Sequence, residues 1–143
     1  MMCERELQLS NEFIRIEYDA LTDDDLAGIM RICKLNPLGD PPADVIRKIA
    51  AQNLSFWRLR KDDADVRLIL EIRVHPGGNE LLIFGLFGRG LFRHVPECLD
   101  FCKLVANKYF CVRISGEVYS KGLAKLYEKL GAKPVLTKYV MEA

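Results

Sequence analysis

From residue 53 to residue 87 the apolar residues fall mostly into a period of two, and that spacing constrains what this chain can fold into more than any other feature. Leu54, Phe56, Trp57 and Leu59 form one strand-like run, closed by a polar turn over residues 61 to 65. Val66, Leu68, Leu70, Ile72 and Val74 then alternate with Arg67, Ile69, Glu71 and Arg73, so a strand here carries an apolar row on one face. Pro76, Gly77, Gly78 and Asn79 make a tight connection of hairpin type. It leads into Leu81, Leu82, Ile83, Phe84, Leu86 and Phe87, an apolar run expected of a central strand buried on both faces. The three runs predict a meander.

Helices and further strands are predicted on both sides of it. Phe13, Ile14, Ile16 and Tyr18, interleaved with Arg15 and Glu17, predict a first strand over residues 12 to 18. Thr22 with Asp25 three residues on has the form of a capping box, and Leu26, Ile29, Met30 and Cys33 follow at helical spacing. Asp23, Asp24 and Asp25 also complement the dipole of that helix. Asn36, Pro37, Leu38, Gly39, Asp40, Pro41 and Pro42 interrupt it, and Val45, Ile46, Ile49 and Ala50 mark a second helix. After the glycine-rich residues 85 to 90, Val95, Leu99, Cys102, Val105 and Ala106 predict a helix running to about Lys108. Pro96 fits a first helical turn, which puts the start near His94 or Val95. Cys111, Val112, Arg113 and Ile114 predict a fifth strand, residues 120 to 130 a last helix stopped at Gly131, and residues 135 to 141 a final strand. The expected architecture is α/β: a mixed central sheet of six to seven strands flanked by about four helices, in one domain over residues 1 to 143.

At 143 residues such a chain can bury roughly 70% of its unfolded surface, so its core needs neither metal nor disulfides. Its 21 Lys and Arg balance 20 Asp and Glu without a basic block, and bulk electrostatics give no reason to dock on nucleic acid or an anionic membrane. No apolar run approaches the roughly 18 to 20 residues of a membrane helix, and Glu4, Arg5 and Glu6 stand where a secretory apolar region would lie; a cytoplasmic location is expected. Cys3, Cys33, Cys98, Cys102 and Cys111 are odd in number, which suits free thiols in a reducing compartment. Cys98 and Cys102 share one helix face and, with no second close pair beside them, read as buried apolar thiols in preference to zinc ligands.

The stretch Ser120, Lys121, Gly122, Leu123, Ala124, Lys125, Leu126, Tyr127, Glu128, Lys129, Leu130, Gly131 resembles the final helix of the GCN5-related N-acetyltransferase superfamily, and the order of elements is similar to that family over nearly the whole chain. The resemblance implies that Tyr127 lies near the thioester of acetyl coenzyme A and protonates the departing thiolate, a role a positioned phenol can fill. Ser120 stands where the family commonly has Asn against the cofactor arm. From the helix pattern alone, Leu123, Leu126, Tyr127 and Leu130 form an apolar stripe in which Tyr127 is a core aromatic, and both readings stay open. Gly85, Leu86, Phe87, Gly88, Arg89 and Gly90 resemble the family's pyrophosphate loop, with Gly85 in place of the leading Arg or Gln and Arg89 able to supply the positive charge. The same glycines also fit a bulged strand exit. The resemblance further implies that the strand around Phe84, Gly85, Leu86 and Phe87 hydrogen-bonds the pantetheine arm like an added strand.

Acetyl transfer to an amine needs a neutral nitrogen, so a carboxylate, or a water relayed by one, must accept a proton. Glu71 and Glu80 are the candidates, each also readable as a plain surface carboxylate. His75 and His94 sit at element edges beside proline-containing turns and are expected to be solvated. Trp57 with Phe56 either lines an acceptor cleft or packs the sheet. The expected function is that of an acyl-CoA N-acyltransferase, moving the acetyl group of acetyl coenzyme A to a small-molecule or protein amine by direct attack and without a metal. The alternative is a catalytically inactive acetyltransferase-like binding or structural protein, of the general look of some phage-encoded proteins. An edge strand leaves pairing with a second copy, as a homodimer, open.

Overall fold

Five strands cross one sheet in chain order: β1 (Phe13–Ile16), β2 (Leu54–Lys61), β3 (Ala64–His75), β4 (Gly78–Arg89) and β5 (Cys111–Gly116). The computed structural model describes residues 12–36, 39–118, 121–135 and 141. β1 to β4 form the antiparallel meander that the period-two spacing predicts, and β5 runs parallel to β4. A parallel neighbour needs a crossover, here the helix α3 (Leu91–Lys108). The other helices are α1 (Asp23–Leu35), α2 (Pro42–Ala50) and α4 (Lys121–Lys129), with a 3₁₀ turn at Tyr18–Ala20. The expected six to seven strands are thus corrected to five among the described residues. The expected final strand falls largely on residues 136 to 140, which lie outside them, and Val135 is exposed without regular structure.

Both faces of the central strands are covered, which is why β4 reads as an unbroken apolar run. On one face Leu68, Leu70, Leu81 and Ile83 pack against Phe101, Cys102, Val105 and Ala106 of α3. On the other, Leu54, Phe56 and Ile69 lie under Ile29 of α1 and Val45 and Ile49 of α2. Each such fully buried side chain contributes about 1.5–3 kcal/mol relative to exposure. Phe56 and Trp57 point to opposite faces, Phe56 edge-on to Phe87 and Trp57 edge-on to Phe101, so they pack the two faces of the sheet and cannot line one cleft together.

The Thr22 capping box forms as its spacing predicts: Asp25 N–H donates to Thr22 Oγ1 at 3.1 Å and Thr22 N–H to Asp25 Oδ2 at 2.9 Å. Asp25 has a second task. It is wholly buried and its Oδ1 accepts from Arg58 and, at 2.9 Å, from Arg67 Nε. Arg58 and Arg67 are register partners on β2 and β3, so two guanidiniums rise from one rung of the sheet beneath the start of α1, and Asp65 meets both at 3.3 Å. Burial pushes the Asp25 carboxyl up, but the Thr22 amide, Arg67 and Arg58 together outweigh it and hold it below the ordinary carboxylate range.

Two local expectations are corrected. The long helix starts at Leu91, directly behind Gly90, and not near His94 or Val95. Pro96 is therefore inside its second turn, where the carbonyl deprived of a partner is that of Phe92; both residues are exposed, so water can take that bond. His94 is buried and not solvated, with Nδ1 2.8 Å from Glu97 Oε1, while Glu97 also meets Lys61 at 3.2 Å. At the end of α4, Gly131 (φ 101°) closes the helix by donating to Glu128, and Ala132 N–H reaches back to Tyr127. That is the glycine stop expected from the sequence.

Replacing Asp25 by Asn leaves the buried Arg58 and the half-buried Arg67 short of a counter-charge, and a loss of about 3–5 kcal/mol is expected in urea unfolding at neutral pH. Because folding lowers this pKa, the contribution is complete above the unfolded value of about 3.9 and fades as pH falls through the native value below it. The acid limb of the variant's stability curve should be correspondingly shallower. An unchanged urea midpoint would make the cluster energetically idle.

Candidate functional site

β4 is paired on both sides for only part of its length. β5 follows it from Asn79 opposite Cys111 to Ile83 opposite Gly116, whereas the β3 ladder continues to Arg89 opposite Asp65. Residues 84 to 89 therefore have one ladder edge with no strand beside it among the described residues. The register shows why the strands part here: Leu70 faces Ile83 and Ile69 faces Gly85, so Phe84 is an extra residue on β4. Such a bulge bends and twists its strand. Gly85 at that point is packed under α1, where an added Cβ would fall 2.7 Å from Ile32 Cδ1.

The segment that resembles a pyrophosphate loop is mostly strand. Gly85, Leu86, Phe87, Gly88 and Arg89 belong to β4, and Gly90 alone turns the chain into α3. Gly88 (φ 125°) passes so close to the β2–β3 hairpin that a Cβ would lie 2.2 Å from the Asp65 carbonyl oxygen. Gly90 (φ 81°), the N-cap of α3, caps it with no side-chain hydrogen bond, so the first amides of an 18-residue helix open beside the free edge of β4. Arg89 Nε donates to the Asp63 carbonyl at 2.6 Å and Arg93 Nη2 to the Asp63 carboxylate at 2.9 Å. The Asp63 carboxylate is held low by Arg93 first and by Arg89 as well, so two guanidiniums share one carboxylate next to the helix N-terminus.

Tyr127 lies on the α3 face. Its phenol is within electrostatic range of Cys102 and Cys98, and burial first, then those thiols, push its pKa above the ordinary phenol range. Burial likewise pushes Cys98 up to about 12 and Cys102 further. Leu86, in the unflanked half of β4, packs against the clusters that contain Cys98 and Cys102. Leu86 and the phenol thus both lie on the α3 face of the sheet. Ser120 lies outside the described residues.

On the opposite face a cavity of about 220 Å³ opens at the bulge, bounded by Ile32, Cys33, Asp40, Arg73, Phe84 and Glu117 among others. Glu71 is on the same face, bound through its Oε1 to Arg73 Nε, and faces Leu82 across the ladder. Glu80 is buried and meets His75 at 3.2 Å and Arg113 at 3.0 Å. Burial raises its pKa, but hydrogen bonds from His75 and Ser115 and the charge of Arg113 outweigh that and leave it below the ordinary carboxylate range. Neither carboxylate is a plain surface group. No cluster of three His, Cys, Asp or Glu suited to a metal occurs among the described residues. Sequence pattern does not point to Asp40, Arg73 and Glu117, because a turn, a strand end and a strand exit bring them together only in the fold. The one available signal was Gly85 inside an apolar run, which marks a bulge.

No protein-family model matches this sequence, and no curated protein matches it significantly. Solved structures do. A predicted acetyltransferase with acetyl-CoA from Clostridium acetobutylicum superposes with a TM-score of 0.65 at 14% identity, over 91% of this chain and 94% of that one. A GCN5-related N-acetyltransferase from Ralstonia eutropha gives 0.65 at 13% over 90% and 97%. A ribosomal-protein-alanine N-acetyltransferase from Brucella melitensis gives 0.61 at 13% over 92% and 99%. At such identities the likeness is one of fold: the chain has the GCN5-related N-acetyltransferase fold, and these neighbours lend no support to a phage-like comparison.

Gly88→Ala should lower stability by about 2–4 kcal/mol, since both its backbone angle and the Asp65 carbonyl oppose a Cβ. Gly77→Ala, whose Cβ would meet nothing within 4 Å, serves as the control and should be near neutral. Equal denaturation midpoints for the two variants would contradict the described turn.

Proposed function

We propose that this chain binds acetyl coenzyme A along the free edge of β4 and transfers the acetyl group to an amine by direct attack. The observation that carries the reading is the parting of β4 and β5 beyond Ile83 and Gly116, next to the uncapped start of α3. The chemistry fits. Residues 84 to 87 offer backbone amides and carbonyls to the amides of a pantetheine arm, as an added strand would use them. Gly88, Arg89 and Gly90 lead into helix amides that suit a pyrophosphate, with Arg89 adding charge.

In this reading the α1 face receives the amine and the α3 face holds Tyr127. A new N–C bond forms as the C–S bond of the thioester breaks; the amine proton passes to a carboxylate or water, and the thiolate takes one from Tyr127. The phenol is protonated at neutral pH, and because burial raises its pKa it meets the leaving thiolate first as a hydrogen-bond donor. Glu71 and Glu80 are the proposed acceptors for the amine proton. Glu80, held low by its donors, suits relay through water better than direct abstraction. No helix among the described residues is long and apolar enough to cross a membrane, and we place the activity in the cytoplasm.

One observation favours a second reading, a binding protein without turnover: both carboxylates are already engaged by guanidinium groups, Glu71 by Arg73 and Glu80 by Arg113. Calorimetry with acetyl coenzyme A, followed by thiol release with a panel of amines, separates the two. Saturable binding with turnover is expected, and Tyr127→Phe should cut kcat about 100-fold while leaving the affinity for acetyl coenzyme A within about twofold. Turnover unchanged across pH would return Tyr127 to packing. Binding without turnover would select the second reading, and no binding at millimolar ligand would remove both.

A further inference from the structure

The cavity at the bulge has walls of two kinds. Ile32, Leu82, Ile83 and Phe84 make an apolar floor, and Asp40, Glu117 and Arg73 bring charge to the rim. Arg73 is already matched: its Nε is bound to Glu71, and Glu71, Glu80 and Glu117 all favour its charged form. Lys48 meets Asp40 at 2.8 Å from outside the lining. The cavity is also flanked by Ile32, Cys33 and Asn36, at the C-terminal end of α1, where the helix dipole is negative. Burial first, and then the Asp40 charge, push the Cys33 thiol's pKa up. A carboxylate entering here would face carboxylates and a helix C-terminus, with a guanidinium that is already paired. With Asp40, Glu71 and Glu117 set against Arg73 and Lys48, the surroundings keep a net negative charge beside a helix C-terminus, which favours an ammonium group over a carboxylate.

Resting on the acetyl-transfer reading for its role as acceptor site, we infer that this cavity takes a small primary amine that carries no carboxylate, its hydrocarbon on Ile32, Leu82, Ile83 and Phe84 and its nitrogen toward Asp40 and Glu117. At about 220 Å³ the space admits a short alkylamine or diamine. Binding is charge-driven at a partly open rim, so it weakens with salt.

The test is a titration of 1,4-diaminobutane and, separately, of alanine into the full chain, with and without coenzyme A, at low and at physiological ionic strength. Diaminobutane should bind at least tenfold more tightly than alanine. Glu117→Gln should weaken it about tenfold and Glu117→Asp restore much of the loss, with thermal unfolding of both variants confirming that they are folded. Asp40→Asn should act in the same direction. Alanine binding as tightly as diaminobutane, no diamine binding at millimolar concentration, or indifference to Glu117→Gln would overturn the inference. Failure to bind coenzyme A would remove the acetyl-transfer reading while the diamine titration on the free protein still decides this one.

Discussion

A strand that is paired on both edges over its first half and on one edge over its second must find other partners for the backbone groups it leaves open. β4 is such a strand, and most of what can be argued about this protein follows from where β5 departs from it. The bulge at Phe84 bends β4 at the point of departure, the cavity opens on one side of that bend, and the N-terminus of α3 stands at the far end of the open edge. The opening is made by main chain. It can persist while side chains drift, which is consistent with a fold shared with acetyltransferases at 12–15% identity in a chain whose loop and final-helix motifs are incomplete.

The two faces of the sheet are chemically unlike. The α3 face carries apolar residues, two buried thiols and the Tyr127 phenol, an environment that keeps weak acids protonated. Under α1 and α2 the sheet carries charge at both ends: Asp25 with Arg58 and Arg67 at one, Glu71, Arg73 and Glu80 at the other. Buried charges are tolerated only when paired, and pairing holds Asp25 and Glu80 below the ordinary carboxylate range. Candidate bases on this face are therefore held by the requirements of the fold.

The glycines carry a similar lesson. Gly88 and Gly90 match a phosphate-loop pattern, yet the Asp65 carbonyl and Ala64 already exclude a side chain at both positions. The hairpin between β2 and β3 demands them, with or without a bound phosphate. Glycine spacing is thus a record of backbone crowding first, and the free amides of α3 add the chemistry.

The meander, the two short helices, the glycine stop at Gly131 and the Thr22 capping box were legible in the linear chain, because each depends on neighbours within a few residues. The start of α3 is not legible there for the same reason: Pro96 argues locally against an early start, but Gly90 and the packing of Val95, Cys98 and Cys102 on the sheet settle it. Cross-strand register cannot be read from spacing alone, so the Arg58 and Arg67 rung beneath Asp25, the extra residue at Phe84 and the meeting of Asp40, Arg73 and Glu117 appear only in the tertiary structure. Local hydrogen bonding and side-chain period belong to the sequence; which distant charges face one another, and where two strands cease to pair, is decided when the sheet closes its ladders.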